Sequence, residues 1–301
     1  MENKANRMIF VWLIGAILIT LALVMGIQAY IRSVNAVTEW ELTEHADNSG
    51  NQAMCYSLYN KRQKALIMID GGWKENADHV RQIIEEKGGH VTAWFLTHYH
   101  NDHCDTFNEL WPEYRDRIDM VYCTPLEWDD VKDVFQYWDS PETMSTFLEQ
   151  TKDAENVKRL YRGDELEICG LRIKVYSAFD EEIPPLGDIP NNCSLIFKIS
   201  SKNKSVLFLG DTHNKAYGMT LLERYGAEEL HADYVQSAHH GNNTQSFEFY
   251  EAVNPSVLFL DGPEWLMNGS TYTAKDTLAW CAEHGITTYD YRQAPTTLLL
   301  D

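Results

Sequence analysis

The stretch TAWFLTHYHNDHCD, residues 92–105, limits the chain's options more than any other. An apolar run of the kind that makes a buried strand breaks at Thr97 into three histidines and two aspartates within eight residues. Loops at strand ends are where α/β proteins gather their chemistry. Imidazole and carboxylate together suit zinc, iron or manganese. His98, His100, Asp102 and His103 exceed what one tetrahedral ion takes from a single loop, so two adjacent metals are expected. A solvated polar loop is the bland alternative, and it gives three histidines no structural task.

A two-metal site needs donors from elsewhere in the chain. VLFLGDTH (206–213) ends an apolar run at Asp211, a carboxylate placed where it could bridge two ions. YVQSAHHGNN (234–243) ends another at His239 and His240. Each signal is weak alone; three strand ends carrying ligand-type groups are harder to ascribe to chance.

Around these points the pattern alternates between strands and helices. ALIMID (65–70) reads as a buried strand, ADHVRQIIEEKG (77–88) as a helix with a terminal glycine, and VTAWFLT (91–97) as a strand. MVYCT (120–124) is expected as a strand and 142–161 as a helix. ELEICGLRIKVYS (165–177) reads as a hairpin turning at Cys169-Gly170. Four further strands, CSLIFKIS, SVLFLGD, DYVQSAH and SVLFLDG, alternate with helices near 216–229 and 246–253. A last helix at 273–284 precedes ITTYDY and TTLLLD. The mixture suggests an α/β fold of two packed sheets with helices outside, an αββα sandwich, with an open doubly wound sheet as the alternative.

The quoted segments carry a resemblance. DGG at 70–72, HYHNDH at 98–103, GD at 210–211 and HHG at 239–241 stand in the order and rough spacing of the metallo-β-lactamase-like hydrolases, over about residues 50–301. Within that superfamily, NNCSLIF before VLFLGD, then AHHGNNTQSFEFYEAVNPSVLFL, resembles the hydrolase domain of the ComEC competence proteins and phosphorylcholine esterases. The resemblance implies a four-layer αββα sandwich. It implies one metal on His98 and His100, a second on Asp102 and His103, Asp211 bridging them, and one of His239 and His240 completing the second site. His240 is the preferred ligand and His239 the preferred substrate-facing residue, with the exchanged roles as the alternative; Asp102 would orient the nucleophile and Asp70 would be structural. Many members have a third histidine for the first metal before the Gly-Asp strand. Here no histidine occurs from 104 to 212, so that place falls to Asp188, Asn191 or Asn192. Cys104 and Cys193 are expected to pack rather than ligate.

The N-terminus differs in kind. Met8 to Ile31 is a 24-residue run without formal charge, long enough to span a bilayer core as a helix. Lys4 and Arg7 before it, against Arg32 alone just after, place the N-terminus in the cytoplasm and the remainder outside. The expected organisation is an anchor at 1–32, a polar linker at 33–52 and a hydrolase domain at 53–301. Six cysteines show no CxxC pair and read mostly as buried thiols. A net charge of −20 repels nucleic acid at long range and disfavours it as a partner.

The expected function is a membrane-anchored hydrolase using two divalent ions, zinc or alternatively manganese. Such a pair lowers the pKa of a shared water towards ~7, giving hydroxide that attacks a phosphoester or phosphodiester of a small molecule or the cell surface. A β-lactamase or other ester or amide hydrolase, and a metal-sensing ectodomain without turnover, are the rival readings.

Overall fold

The computed structural model describes residues 2–47 and 49–301; Met1 of the expected anchor and Asn48 of the expected linker lie outside the described residues. Six strands build most of the first sheet: β1 (Trp40–Glu44), β2 (Cys55–Asn60), β3 (Ala65–Asp70), β4 (Ala93–Leu96), β5 (Val121–Cys123) and β6 (Val157–Arg159). The second holds β7 (Glu165–Ile168), β8 (Leu171–Ser177), β9 (Ile196–Ser200), β10 (Ser205–Phe208), β11 (Tyr234–Gln236), β12 (Val257–Leu260) and β13 (Thr287–Asp290). The last strand, β14 (Thr296–Leu300), returns to the first sheet beside β1. The sheet orders are β14-β1-β2-β3-β4-β5-β6 and β13-β12-β11-β10-β9-β8-β7. In each, an antiparallel half gives way to a parallel one: β3 to β6 run parallel, as do β10 to β13.

Side chains alternate faces along a strand, and this sequence uses both faces for burial. Ile67 and Ile69 of β3, Phe95 of β4, Phe197 of β9 and Phe208 of β10 fill the space between the sheets. Their neighbours Leu66, Met68, Trp94, Leu96 and Leu207 point outward, under the helices. Each such side chain contributes roughly 1.5–3 kcal/mol on burial, which is why these strands read as unbroken apolar runs.

The helices are α1 (Glu2–Thr38), α2 (Ala77–Glu86), α3 (Asn101–Tyr114), α4 (Trp128–Val131), α5 (Pro141–Thr151), α6 (Ile189–Asn192), α7 (Lys215–Tyr225), α8 (Ala227–Leu230), α9 (Phe247–Val253), α10 (Glu264–Asn268) and α11 (Ala274–Glu283). Those after α1 cover the outer faces through residues such as Val80, Phe107, Phe147, Leu221 and Phe249. The fold is the four-layer αββα sandwich. In α1, Trp12–Ile31 has a mean hydropathy of 2.2 and is not buried against the protein, so by length and composition it can cross a membrane or serve as a signal sequence.

Three local expectations need correction. The linker expected at 33–52 contains β1, which pairs with β2 and β14 and wholly buries Trp40 and Leu42. WELTE carries two glutamates, so its alternation was masked. The helix expected over 142–161 stops at Thr151, and 157–159 form β6. Beyond its end Asn156 donates to the Arg115 and Ile118 carbonyls, just ahead of the strand that pairs with β5. The helix near 216–229 breaks at Gly226, where φ is 79°, into α7 and α8.

Candidate metal centre

Three strand ends from both sheets deliver the candidate ligands to one place. β4 runs out at Leu96 and the chain passes through Thr97 to His100, which starts α3; Asp102 and His103 occupy its first turn. β10 leads through Leu209 and Gly210 to Asp211. Gly210 has φ +53°, and a Cβ there would stand 2.7 Å from that of Ser194, so only glycine permits the turn. After β11, His239 and His240 take φ of 53° and 57° and Gly241 takes 80°. Three consecutive left-handed residues are costly, and such strain collects where a side chain must be aimed. The His239 amide donating to the Gly210 carbonyl (3.0 Å) ties this turn to the Asp211 loop.

The side chains converge without satisfying one another. His103 Nε2 lies 3.3 Å from Asp211 Oδ1 and 3.9 Å from Asp102 Oδ1. His240 Nε2 lies 3.3 Å from Asp102 Oδ2 and 3.4 Å from Asp211 Oδ2. Nonetheless His98 Nε2, His103 Nε2, His240 Nε2 and Asp211 Oδ1 are buried with no hydrogen-bond partner. Orphaned buried nitrogens and a carboxylate oxygen are what a cation would satisfy. Donor atoms of His98, His103 and Asp211 lie within 4.8 Å of one another, as do those of Asp102, His103 and His240.

The far sides of two rings are already fixed. Asp70 Oδ1 accepts the Thr97 amide (2.8 Å), while Oδ2 accepts the Thr97 hydroxyl (2.6 Å) and His103 Nδ1 (2.7 Å). Having spent its proton on Asp70, the Thr97 hydroxyl can accept from His98 Nδ1 at 3.1 Å. In their neutral form both rings then carry their proton on Nδ1, freeing Nε2 for a metal. Asp70 thus holds the structural role expected of it.

Charge follows from this crowding. Burial alone would lower the His240 and His103 pKa values, but the Asp211 and Asp102 carboxylates overcome it. His240 is pushed up to about 10 and His103 well above its ordinary value. Burial raises Asp102 and Asp211, and the two histidines more than reverse that, holding both carboxylates below their usual range. Both shifts favour the imidazolium form of these two rings in the metal-free protein. Metals bind only the neutral ring, so loading should release protons at pH 7, and fewer as pH approaches 10. Calorimetric titration in buffers of different ionisation enthalpy measures this; release near zero would mean that the rings are already neutral.

A family model described as the metallo-beta-lactamase superfamily matches residues 50–260. The chain belongs to that superfamily. Its fold resembles CmlA, a diiron beta-hydroxylase from Streptomyces venezuelae, at TM-score 0.56 and 14% identity, covering 87% of this chain and 54% of that one. This chain thus spans about half the length of CmlA. The metallo-beta-lactamase fold protein YhfI from Bacillus subtilis aligns at TM-score 0.52 and 9% identity, covering 86% and 99% of the two chains. Igni18, a metallo hydrolase from Ignicoccus hospitalis, aligns at TM-score 0.50 and 11% identity, covering 88% and 99%. No curated protein sequence matches.

Metallo-beta-lactamase proteins are generally metal-dependent hydrolases, and the fold takes divalent ions, often two. Of the residues expected here, His98, Asp102, His103, Asp211 and His240 form the converging set. His100 stands apart from those two groups, though its ring centroid is 4.8 Å from that of His98. Its Nε2 meets buried Asp139 Oδ1 at 3.0 Å, which leaves Nδ1 for a metal. Asp139→Ala should therefore cost about 10–100-fold in metal affinity, read by chelator competition; unchanged affinity would remove His100 from the site.

Other expectations resolve unevenly. Asn192 Oδ1 is occupied by the amides of His213 and Asn214, and Asp188 Oδ2 accepts from Asn191. Asn191, whose Oδ1 is buried and unpartnered, keeps a free donor atom for the missing histidine's place, whereas Asp188 is exposed with one oxygen engaged. Ser194 of the same segment accepts the Asp211 amide at 3.0 Å. His213 stacks on His239 with centroids 5.0 Å apart, while Cys104 and Cys193 are buried in the core. Tyr99, inside the histidine motif, is buried against Phe147, and its hydroxyl donates to the Thr124 carbonyl. Gln52, which reaches Asp102 Oδ2 at 3.4 Å, and Asp139 were both missed, because each lies far in sequence from any motif.

Proposed function

We propose that this chain is a membrane-anchored, two-metal phosphoester or phosphodiester hydrolase of the ComEC-like branch, anchored by α1 with its catalytic domain outside the cytoplasm. The observation that carries the reading is the pair of donor sets sharing His103, with their buried nitrogens unpartnered. His98 and His100 would hold one ion and Asp102, His103 and His240 the other, with Asp211 between them. Zinc fits this imidazole-rich, thiolate-free set, and manganese is the alternative. Bound there, the pair would supply an activated water at neutral pH and polarise the bond under attack.

The chain's own groups do the rest. Asp102, held by Gln52, is the carboxylate that would orient the nucleophile. His239 Nδ1 faces the Asn242 carbonyl at 2.8 Å, so the neutral ring keeps its lone pair on Nε2. Burial lowers the His239 pKa, and a neutral ring suits receiving a proton from the substrate side more than stabilising charge as a cation. The segments NNCSLIF and AHHGNNTQSF, which resemble the ComEC and phosphorylcholine esterase branch, support a phosphoester over a lactam. The net charge of −20 argues against nucleic acid as the substrate.

The test is a substrate panel with zinc-loaded and manganese-loaded protein: a p-nitrophenyl phosphomonoester, bis(p-nitrophenyl) phosphate, DNA and a chromogenic lactam. Turnover of the phosphate reporters above the lactam is expected. Preferential lactam cleavage would replace this reading with the lactamase one, and a loaded protein inert to all four would favour a sensing domain.

A further inference from the structure

The ring of His240 is aimed differently from those of the other three candidate histidine ligands. His98, His100 and His103 each have one ring nitrogen engaged, by Thr97, Asp139 and Asp70 in turn. His240 Nδ1 is buried and has no partner among the described residues. Its direction therefore comes from its backbone, the left-handed turn after β11. The Tyr250 hydroxyl accepts the Ala238 amide at 3.2 Å, and the Thr277 hydroxyl donates to the Gly241 carbonyl at 3.0 Å. Those bonds tie the turn to α9 and α11, which carry no candidate ligand.

Besides the backbone bond from His239 to Gly210, one side chain ties this turn to that of Asp211. Gln236 ends β11 and is fully buried. Its Oε1 accepts the amide of Leu209, two residues before Asp211, at 3.0 Å. Its Nε2 donates to the Ser237 carbonyl at 2.7 Å and to Asp261 Oδ2 at 2.8 Å, with the Gly210 carbonyl further off at 3.4 Å. The amide cannot be reversed, because its oxygen would then face a carboxylate and two carbonyls, and its NH₂ the Leu209 N–H. Asp261, just after β12, is also fully buried, and its Oδ1 accepts the Tyr56 hydroxyl from β2 of the other sheet. Tyr56 thus braces Asp261, Asp261 braces the amide, and the amide spans the ends of β10 and β11.

We propose that Gln236, braced by Asp261, is a positioning residue that sets the spacing of Asp211 and His240 and so the affinity of the second metal position. The proposal rests on the two-metal reading and not on the phosphoester one. The test loads the full chain in detergent micelles with cobalt(II), followed by its visible spectrum and by chelator competition. Gln236→Met keeps the side chain's length and removes its amide. It is expected to weaken the second ion about 10–100-fold and to shift that ion's absorption band, with the first ion little changed. Asp261→Asn is expected to stay close to the wild type: its oxygen can still take the Gln236 N–H while its NH₂ turns to the Tyr56 oxygen. Val80→Ala in α2 is the control, since a buried cavity lowers stability and should move neither band nor affinity. Should Gln236→Met fail to fold, Tyr56→Phe, which removes only the donor to Asp261 Oδ1, is expected to show a smaller loss of the same kind. Equal weakening of both ions in the variant that folds, or binding and spectrum like the wild type, would overturn the proposal. So would an Asp261→Asn protein as impaired as Gln236→Met. A wild type that takes up one cobalt ends the two-metal reading instead. The spacing role then stands if Gln236→Met shifts that ion's band and Val80→Ala does not, and falls if the two behave alike.

Discussion

Asp211→Ala is expected to cut turnover of a phosphodiester reporter on the order of 10³-fold or more, while the protein stays folded. The carboxylate stands between the two donor sets, with one oxygen 3.3 Å from His103 Nε2 and the other 3.4 Å from His240 Nε2. Alanine removes the group proposed to be shared by both ions and the counter-charge that raises both imidazole pKa values. The two losses act in opposite directions on metal binding. Losing a ligand weakens it, whereas losing the carboxylate lowers the histidine pKa values and eases their deprotonation. Ligand loss should win at neutral pH, and elemental analysis should find at most one ion per chain. Proton release on loading should also fall. A variant that keeps both ions and its turnover would leave Asp211 a structural carboxylate at a turn. Stability of the metal-free state should fall at pH 7, because His103 and His240 lose the buried counter-charge that raises their pKa values, even though the contact of Ser194 with the residue 211 amide survives the substitution.

The sequence made the sheets and the ligand loops readable for the same physical reason. β3, β4, β10 and β12 are buried on both faces, so they appear as unbroken apolar runs, and their ends are marked by an abrupt change to charged or imidazole side chains. β1 was hidden because its exposed Glu41 and buried Glu44 make five residues look like a polar tether. It becomes a strand only through partners on both sides, one of them the last strand of the chain. Asp139 and Gln52 were illegible for a related reason. Each reaches the centre by a single side chain from a loop whose position depends on tertiary packing, and no spacing rule links either to the histidine motif. The role of Asn192 was likewise beyond sequence reasoning. Asparagine can ligate or brace, and only the amides of His213 and Asn214 on its oxygen decide for bracing.

Asp70 separates stability from chemistry, because two substitutions at it should fail differently. Its carboxylate is fully buried and accepts three hydrogen bonds, from the Thr97 amide, the Thr97 hydroxyl and His103 Nδ1. Asp70→Ala strands all three donors inside the protein. Breaking a buried charged pair from one side typically costs about 3–5 kcal/mol, and a loss of that order is expected in denaturant unfolding. Asp70→Asn should be milder in stability and specific in effect. The amide oxygen can still take the Thr97 amide, but its NH₂ then confronts His103 Nδ1. To avoid two opposed donors, His103 must move its proton to Nε2, the atom that faces the metal set. The folded variant should thus bind metal about 10–100-fold more weakly, with turnover falling in parallel. Nitrogen-15 NMR of the histidines would report the exchanged tautomer directly. An asparagine variant with native metal affinity and an unprotonated Nε2 would show that Asp70 acts through packing alone.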